Sequence, residues 1–135
     1  MPEKPTIVLT NAGPGDVLFH NDLGSWNVTR ALLDCKAGKH KLWHEDVEAA
    51  YSANSAIAFE HAKVEELLLL RPEDYAPLLA VIENGAIWLI DGRHRLEALH
   101  LRREKTFLWY VIEEKDSALY RVLYNGERRP PFRPY

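Results

Sequence analysis

The stretch that most constrains this chain is Ala86-Ile87-Trp88-Leu89-Ile90-Asp91-Gly92-Arg93-His94-Arg95-Leu96-Glu97-Ala98-Leu99, an apolar run that passes through Asp-Gly into a basic segment. The unbroken apolar residues 86–90 predict a strand buried on both faces, and Trp88 with Ile87 and Ile90 suits a pleated surface. Asp91-Gly92 ends that strand, because glycine adopts a positive φ at no steric cost and lets a ligand come close to the backbone. Leu96, Leu99 and His100 then fall on one helical face while Arg93, Glu97 and Arg103 point elsewhere, so a helix starts near Arg93 or His94.

The start of such a helix is a ready anion site. Its first N–H groups have no intrahelical acceptor, and the aligned peptide dipoles leave about half a positive charge there. Arg93, Arg95 and the titratable His94 add cationic donors, so Gly92, Arg93, His94 and Arg95 are the residues expected to hold a phosphate. Asp91 is the exception. A carboxylate beside an anion is unfavourable unless it binds a cation such as Mg2+, takes a proton from the substrate or caps the helix. Asp91 and His94 are therefore the candidate catalytic residues, with a helix cap and a structural hydrogen bond as their respective alternatives.

Asp91-Gly92-Arg93-His94-Arg95-Leu96-Glu97-Ala98 resembles the D-G-x-H-R-x-x-A signature of the ParB/sulfiredoxin superfamily, which includes ParB-like kinases of free serine. Residues 77–85, Pro-Leu-Leu-Ala-Val-Ile-Glu-Asn-Gly, are similar to the strand and turn that precede that signature, and the resemblance spans about residues 64–112. It implies a small mixed sheet with helices packed around it and a loop that binds nucleotide phosphates. Members bind or hydrolyse CTP, transfer phosphate, cleave DNA or reduce oxidised cysteine. Arg93 stands where sulfiredoxins carry their reactive cysteine, so the resemblance does not extend to that reduction. Partition-type relatives have a second arginine box and a helix-turn-helix. Here the comparable pair, Arg128-Arg129, lies in a proline-rich tail.

The 135 residues suit a single domain, placed at 3–126, followed by an extended arm at 127–135 that could engage a protein partner or a second copy of the chain. A formal charge of −3 disfavours charge-driven binding to nucleic acid, which leaves DNA as the weaker alternative. A single cysteine, Cys35, excludes an internal disulfide, and the polar start shows no signal-like apolar stretch, so a cytoplasmic location without membrane insertion is expected.

Along the chain the pattern is α+β. Residues 6–10 and 17–20 suit strands around a Gly-Pro-Gly turn, and Asn27 is placed to cap a helix over 28–36 that Gly38 ends. A second helix is predicted over 45–53, with Glu45 and Asp46 in its first turn, and a third from Ser55 to Leu70. Asn84-Gly85 between apolar runs predicts a tight hairpin, residues 106–112 a strand, and residues 117–123 a helix. Within Trp43-His44-Glu45-Asp46, Glu45 and Asp46 are the candidate acidic partners for the Asp91 loop, although a solvated helix start accounts for them equally. His20, His40, His44 and His61 lack metal-ligand spacing apart from the His40/His44 pair, and are expected at the surface or core edge.

Two functional classes fit these features. One is a small phosphotransferase or nucleotide hydrolase in which the loop stabilises phosphoryl charge with Mg2+ at Asp91. The other is a non-catalytic module that senses a nucleotide and contacts a partner through its arm.

Overall fold

The computed structural model describes residues 9–124. The expected arm at 127–135, the ends of the 3–126 domain and most of the first predicted strand lie outside the described residues. The elements in order are β1 (Leu9–Thr10), β2 (Leu18–Asn21), β3 (Gly24–Asn27), α1 (Val28–Lys36), β4 (Lys41–Asp46), α2 (Val47–Asn54), α3 (His61–Leu68), β5 (Leu78–Glu83), β6 (Ala86–Asp91), α4 (Arg93–Leu101), β7 (Thr106–Ile112), α5 (Glu114–Ser117) and β8 (Leu123–Tyr124). The fold is α+β, as expected from the sequence.

The central sheet is mixed, with strand order β4-β7-β5-β6. β5 pairs antiparallel with β6 and parallel with β7, while β4 pairs antiparallel with β7. The β5–β6 hairpin turns at Asn84-Gly85, whose φ values of 52° and 74° place both residues in the left-handed region. That geometry matches the right-handed twist of the flanking strands and is the reason Asn-Gly serves here.

Side-chain alternation divides the core between the two faces of the sheet. Leu79, Val81, Ile90 and Ile112 face α1 and the β2–β3 hairpin, packing with Trp26, Val28, Ala31 and Cys35. Leu78, Ala80, Leu89, Phe107, Trp109 and Val111 face α2 and α4 and pack with Val47, Ala50, Leu96 and Leu99. Asn27 caps α1 by accepting from the Arg30 N–H at 3.1 Å, the role its position predicts. Burial pushes the Cys35 thiol up to about 12.

β1 and β8 form a separate two-stranded pair joining the two ends of the described chain. Asn11 supports it by donating to the carbonyls of Leu119 and Arg121. A second tie runs through Ser117, whose hydroxyl accepts from the Trp26 indole at 3.1 Å and donates to Glu83 at 2.7 Å. Arg121 bonds the other Glu83 oxygen at 2.7 Å and lies over the Trp26 ring.

The strand buried on both faces is β5, where Leu78, Leu79, Ala80 and Val81 are all buried, and not residues 86–90. β6 is an edge strand whose Ala86 and Ile87 are exposed near the turn; Leu89 and Ile90 are buried in the core and Trp88 is half-buried against it. Residues 41–46 form strand β4, so Glu45 and Asp46 do not lie inside a helix. Asp46 is the cap of α2, accepting from the Ala49 N–H at 2.8 Å. The predicted helix from Ser55 begins only at His61, and the predicted helix over 117–123 is instead the end of α5, a 3-10 turn at Ala118–Tyr120 and β8.

Gly85 and Gly92 both have positive φ, but only Gly92 is crowded: a Cβ there would meet Leu78 Cγ at 2.5 Å, whereas one at Gly85 meets nothing within 4 Å. Gly85→Ala should therefore cost about 1 kcal/mol in urea unfolding, the strain of a left-handed alanine. Gly92→Ala should cost about 3 kcal/mol, because overpacking adds to that strain. Equal losses would show that the approach to Leu78 does not constrain the loop.

Candidate functional site

The site is built where β6 gives way to α4. Pairing between β5 and β6 shifts by one residue at Leu79/Ala80, so that Leu79 faces Asp91 while Ala80 faces Leu89. Such a bulge bends the strand and re-aims the residues beyond it. Gly92, with φ 109°, then turns the chain directly into α4 without any side-chain cap. The first intrahelical bond runs from Leu96 N–H to Gly92 C=O at 2.9 Å, so the amides of Arg93, His94 and Arg95 precede the helical ladder.

Two of the basic side chains turn inward. Arg93, expected to point away from the core, is only 6% exposed. Its Nε donates to the Ile57 carbonyl at 2.8 Å, and its Nη2 to the Ser55 carbonyl at 3.2 Å and to Glu97 at 2.9 Å. Glu97, also expected to point away, is buried beside it and accepts from the Tyr51 hydroxyl. The rings of Phe59 and Tyr51 lie 4.7 and 5.4 Å from the guanidinium carbon, and Nη1 has no hydrogen-bond partner among the described residues. Arg95 directs its fork to the carbonyls of Ala76 and Pro77, at 2.7 and 2.8 Å, and to Asp91 at 2.9 Å. Both arginine charges are thus balanced by a carboxylate four residues away, and the positive character of the loop comes from the backbone amides and helix dipole.

His94 is oriented by the entry to α3. Its Nε2 accepts the Glu60 backbone N–H at 3.0 Å, which assigns the ring proton to Nδ1 in the neutral form. Burial of the ring, followed by the nearby charge of Lys63, holds His94 below its ordinary value of 6.5. Near neutrality it is an uncharged hydrogen-bond donor, not an imidazolium. Glu60 also carries a carboxylate to this end of the site, within 3.7 Å of Lys63. The predicted helix over 55–70 concealed this segment, which is a loop that delivers Ile57, Ala58 and Glu60 to the start of α4.

The loop opens on a cleft of about 240 Å³, lined by Asp91, Gly92, Arg93 and His94 on one side and by Phe19, Ile57 and Ala58 on others. It adjoins a second groove of about 550 Å³ between the β2–β3 hairpin and the end of α2, and Phe19, Ile57, Ala58 and Leu89 line both. The larger groove is mainly apolar, with Trp88 and Leu23 in its walls and Asn21, Asp22 and Asn54 at its polar positions.

Glu45 and Asp46 do not join this constellation. Two strands, β7 and β5, separate β4 from β6 by roughly 14 Å across the sheet, and the registers set Asp91 level with Leu42, so Glu45 and Asp46 lie farther still from it. Glu45 accepts the Asp46 N–H at 2.7 Å and Asp46 caps α2, so both carboxylates serve the local backbone. No group of three or more His, Cys, Asp or Glu side chains among the described residues is arranged to hold a metal ion. No helix among them is long and apolar enough to cross a membrane.

Breaking the buried pair should be expensive. Glu97→Gln leaves the Arg93 charge uncompensated, and Arg93→Lys abandons the fork that reaches Ile57 and Ser55, so each should cost about 3–5 kcal/mol in chemical unfolding. A loss under about 1 kcal/mol would mean that the pair is dispensable. For His94, an NMR titration should give a midpoint below 6.5. Because the folded value is depressed, the stability contributed by this ring is present above pH 6.5 and is lost as pH falls through the folded value. A midpoint at or above 6.5 contradicts the assignment. Comparison of the chain with protein-family models, with curated proteins and with solved structures gives no match.

Proposed function

We propose that this protein binds a nucleotide, with its phosphates at the amides of Arg93, His94 and Arg95 and its base and sugar in the apolar groove alongside. The observation that carries this reading is the adjacency of the two cavities, which share Phe19, Ile57, Ala58 and Leu89 in their linings. An anion-favouring helix start lies beside a largely apolar slot, and that pairing of chemistries is what a nucleotide presents. The resemblance of residues 91–98 to the ParB/sulfiredoxin signature points the same way.

Asp91 suits a place beside the phosphates. It lines the cleft, and Mg2+ is commonly held by one or two carboxylates together with substrate phosphates. Mg2+ at Asp91 would neutralise phosphate charge, which is the contribution a phosphotransferase or nucleotide hydrolase needs. His94 would donate a neutral hydrogen bond from Nδ1. A binding-only module is the second reading, supported by the separation of Glu45 and Asp46 from the loop and by the engagement of Asp91 with Arg95.

Nucleoside triphosphates, with and without Mg2+, should raise the melting temperature, the stabilisation being about 2.7 kcal/mol at 100 times the dissociation constant. Ala58→Trp should abolish that shift without lowering the melting temperature of the free protein, because Ala58 is exposed and lines both cavities. Failure of every nucleotide to bind in calorimetry overturns the proposal. Phosphate release on incubation with the bound nucleotide separates the catalytic reading from the binding-only one.

A further inference from the structure

The two edges of the central sheet are finished differently. At the β6 edge the Asn54 side chain accepts the Leu89 N–H at 3.2 Å while donating to the Ala50 carbonyl, so an open donor is closed. β4 is the other edge and has no strand beyond it among the described residues. Its Leu42 and Trp43 are 46% and 50% exposed, and Leu108 on the neighbouring strand is exposed as well. An open edge with exposed apolar side chains is a template for another strand.

The backbone fixes which residues of β4 can accept one. Val47 N–H donates to Lys105 C=O at 3.0 Å, continuing the β4–β7 register in which Glu45 faces Phe107 and Trp43 faces Trp109. Hydrogen-bonded pairs recur every second residue, so Lys41, Trp43 and Glu45 bond inward to β7, while Leu42 and His44 turn their N–H and C=O groups outward. We propose that β4 pairs antiparallel with β4 of a second copy of this chain, about a two-fold axis at Trp43, making one continuous sheet across the dimer.

This register is selected by geometry and by charge. Outward-facing residues must meet outward-facing residues, so Leu42 lies opposite His44 of the second copy and exchanges hydrogen bonds with it, twice by symmetry. Trp43 then faces its own counterpart in a pair without backbone bonds, where side chains approach most closely. Lys41 faces Glu45 on both sides of the axis, so the sequence Lys-Leu-Trp-His-Glu is complementary to itself when reversed. A slip by one residue is forbidden because it sets inward groups against outward ones. A slip that centres the axis on His44 puts Glu45 against Trp43 and leaves Lys41 without its acid. A surface this small is at the low end for stable association, so the dimer should dissociate on dilution.

The test is sedimentation velocity of the full chain over a wide concentration range. The parent should move from monomer toward dimer as concentration rises. Lys41→Glu and Glu45→Lys should each remain monomeric alone, with melting curves near the parent's, and a mixture of the two should dimerise because every facing pair regains opposite charges. A parent that stays monomeric at the highest concentrations overturns the proposal, as does a dimer unaffected by either reversal, which would have to form elsewhere. Dimers of each single variant, or no dimer in the mixture, would equally rule out this register.

Discussion

The guanidinium of Arg93 is the group on which the arrangement of the site depends. A buried cation is tolerated only where hydrogen bonds and an opposite charge replace its water. Here that replacement is supplied by the carbonyls of Ser55 and Ile57, by Glu97 and by the faces of Phe59 and Tyr51. The carbonyl acceptors come from a loop with no secondary structure of its own, so the arginine gives residues 55–59 their place against α4. That placement forms the wall shared by the two cavities and brings Glu60 N–H to His94.

Arg95 plays a similar part on the next face of the helix start. By spanning Ala76, Pro77 and Asp91 it joins the entry of β5 to the exit of β6, across the bulge that redirects the chain. A motif rich in arginine can therefore leave little free cationic charge at its surface. What positive character the loop retains then comes from oriented amides, which hold their positive ends in place without needing a counterion.

Much of this was legible in the sequence where local chemistry dictates structure. Asn84-Gly85 demanded a hairpin, Asn27 a cap, and Asp91-Gly92 the change from strand to helix, because each depends on backbone preferences confined to a few residues. The features that escaped depended on distant partners. Strand β4 carries polar residues because it is an edge, so it shows no buried-strand pattern, and acidic residues at its end look the same whether they cap a helix or lie inside one. Burial of Arg93 was equally hidden, since periodicity assigns arginine to the wet face. The Arg93/Glu97 spacing, set among Leu96, Ala98 and Leu99, was the available hint of a self-neutralising pair.

The pairing of β1 with β8 has a kinetic consequence. It joins Leu9 to Tyr124, the two ends of the described chain, through strands of only two residues each. Closing so long a loop yields little until the intervening sheet has formed, whereas the β5–β6 hairpin can assemble on the microsecond scale from neighbouring residues. The end pair is thus expected to join after the central sheet has formed and to open before it does. Such an opening can recur many times for each global unfolding event, leaving the central sheet and the loop at α4 intact while β1 and β8 exchange their amide protons.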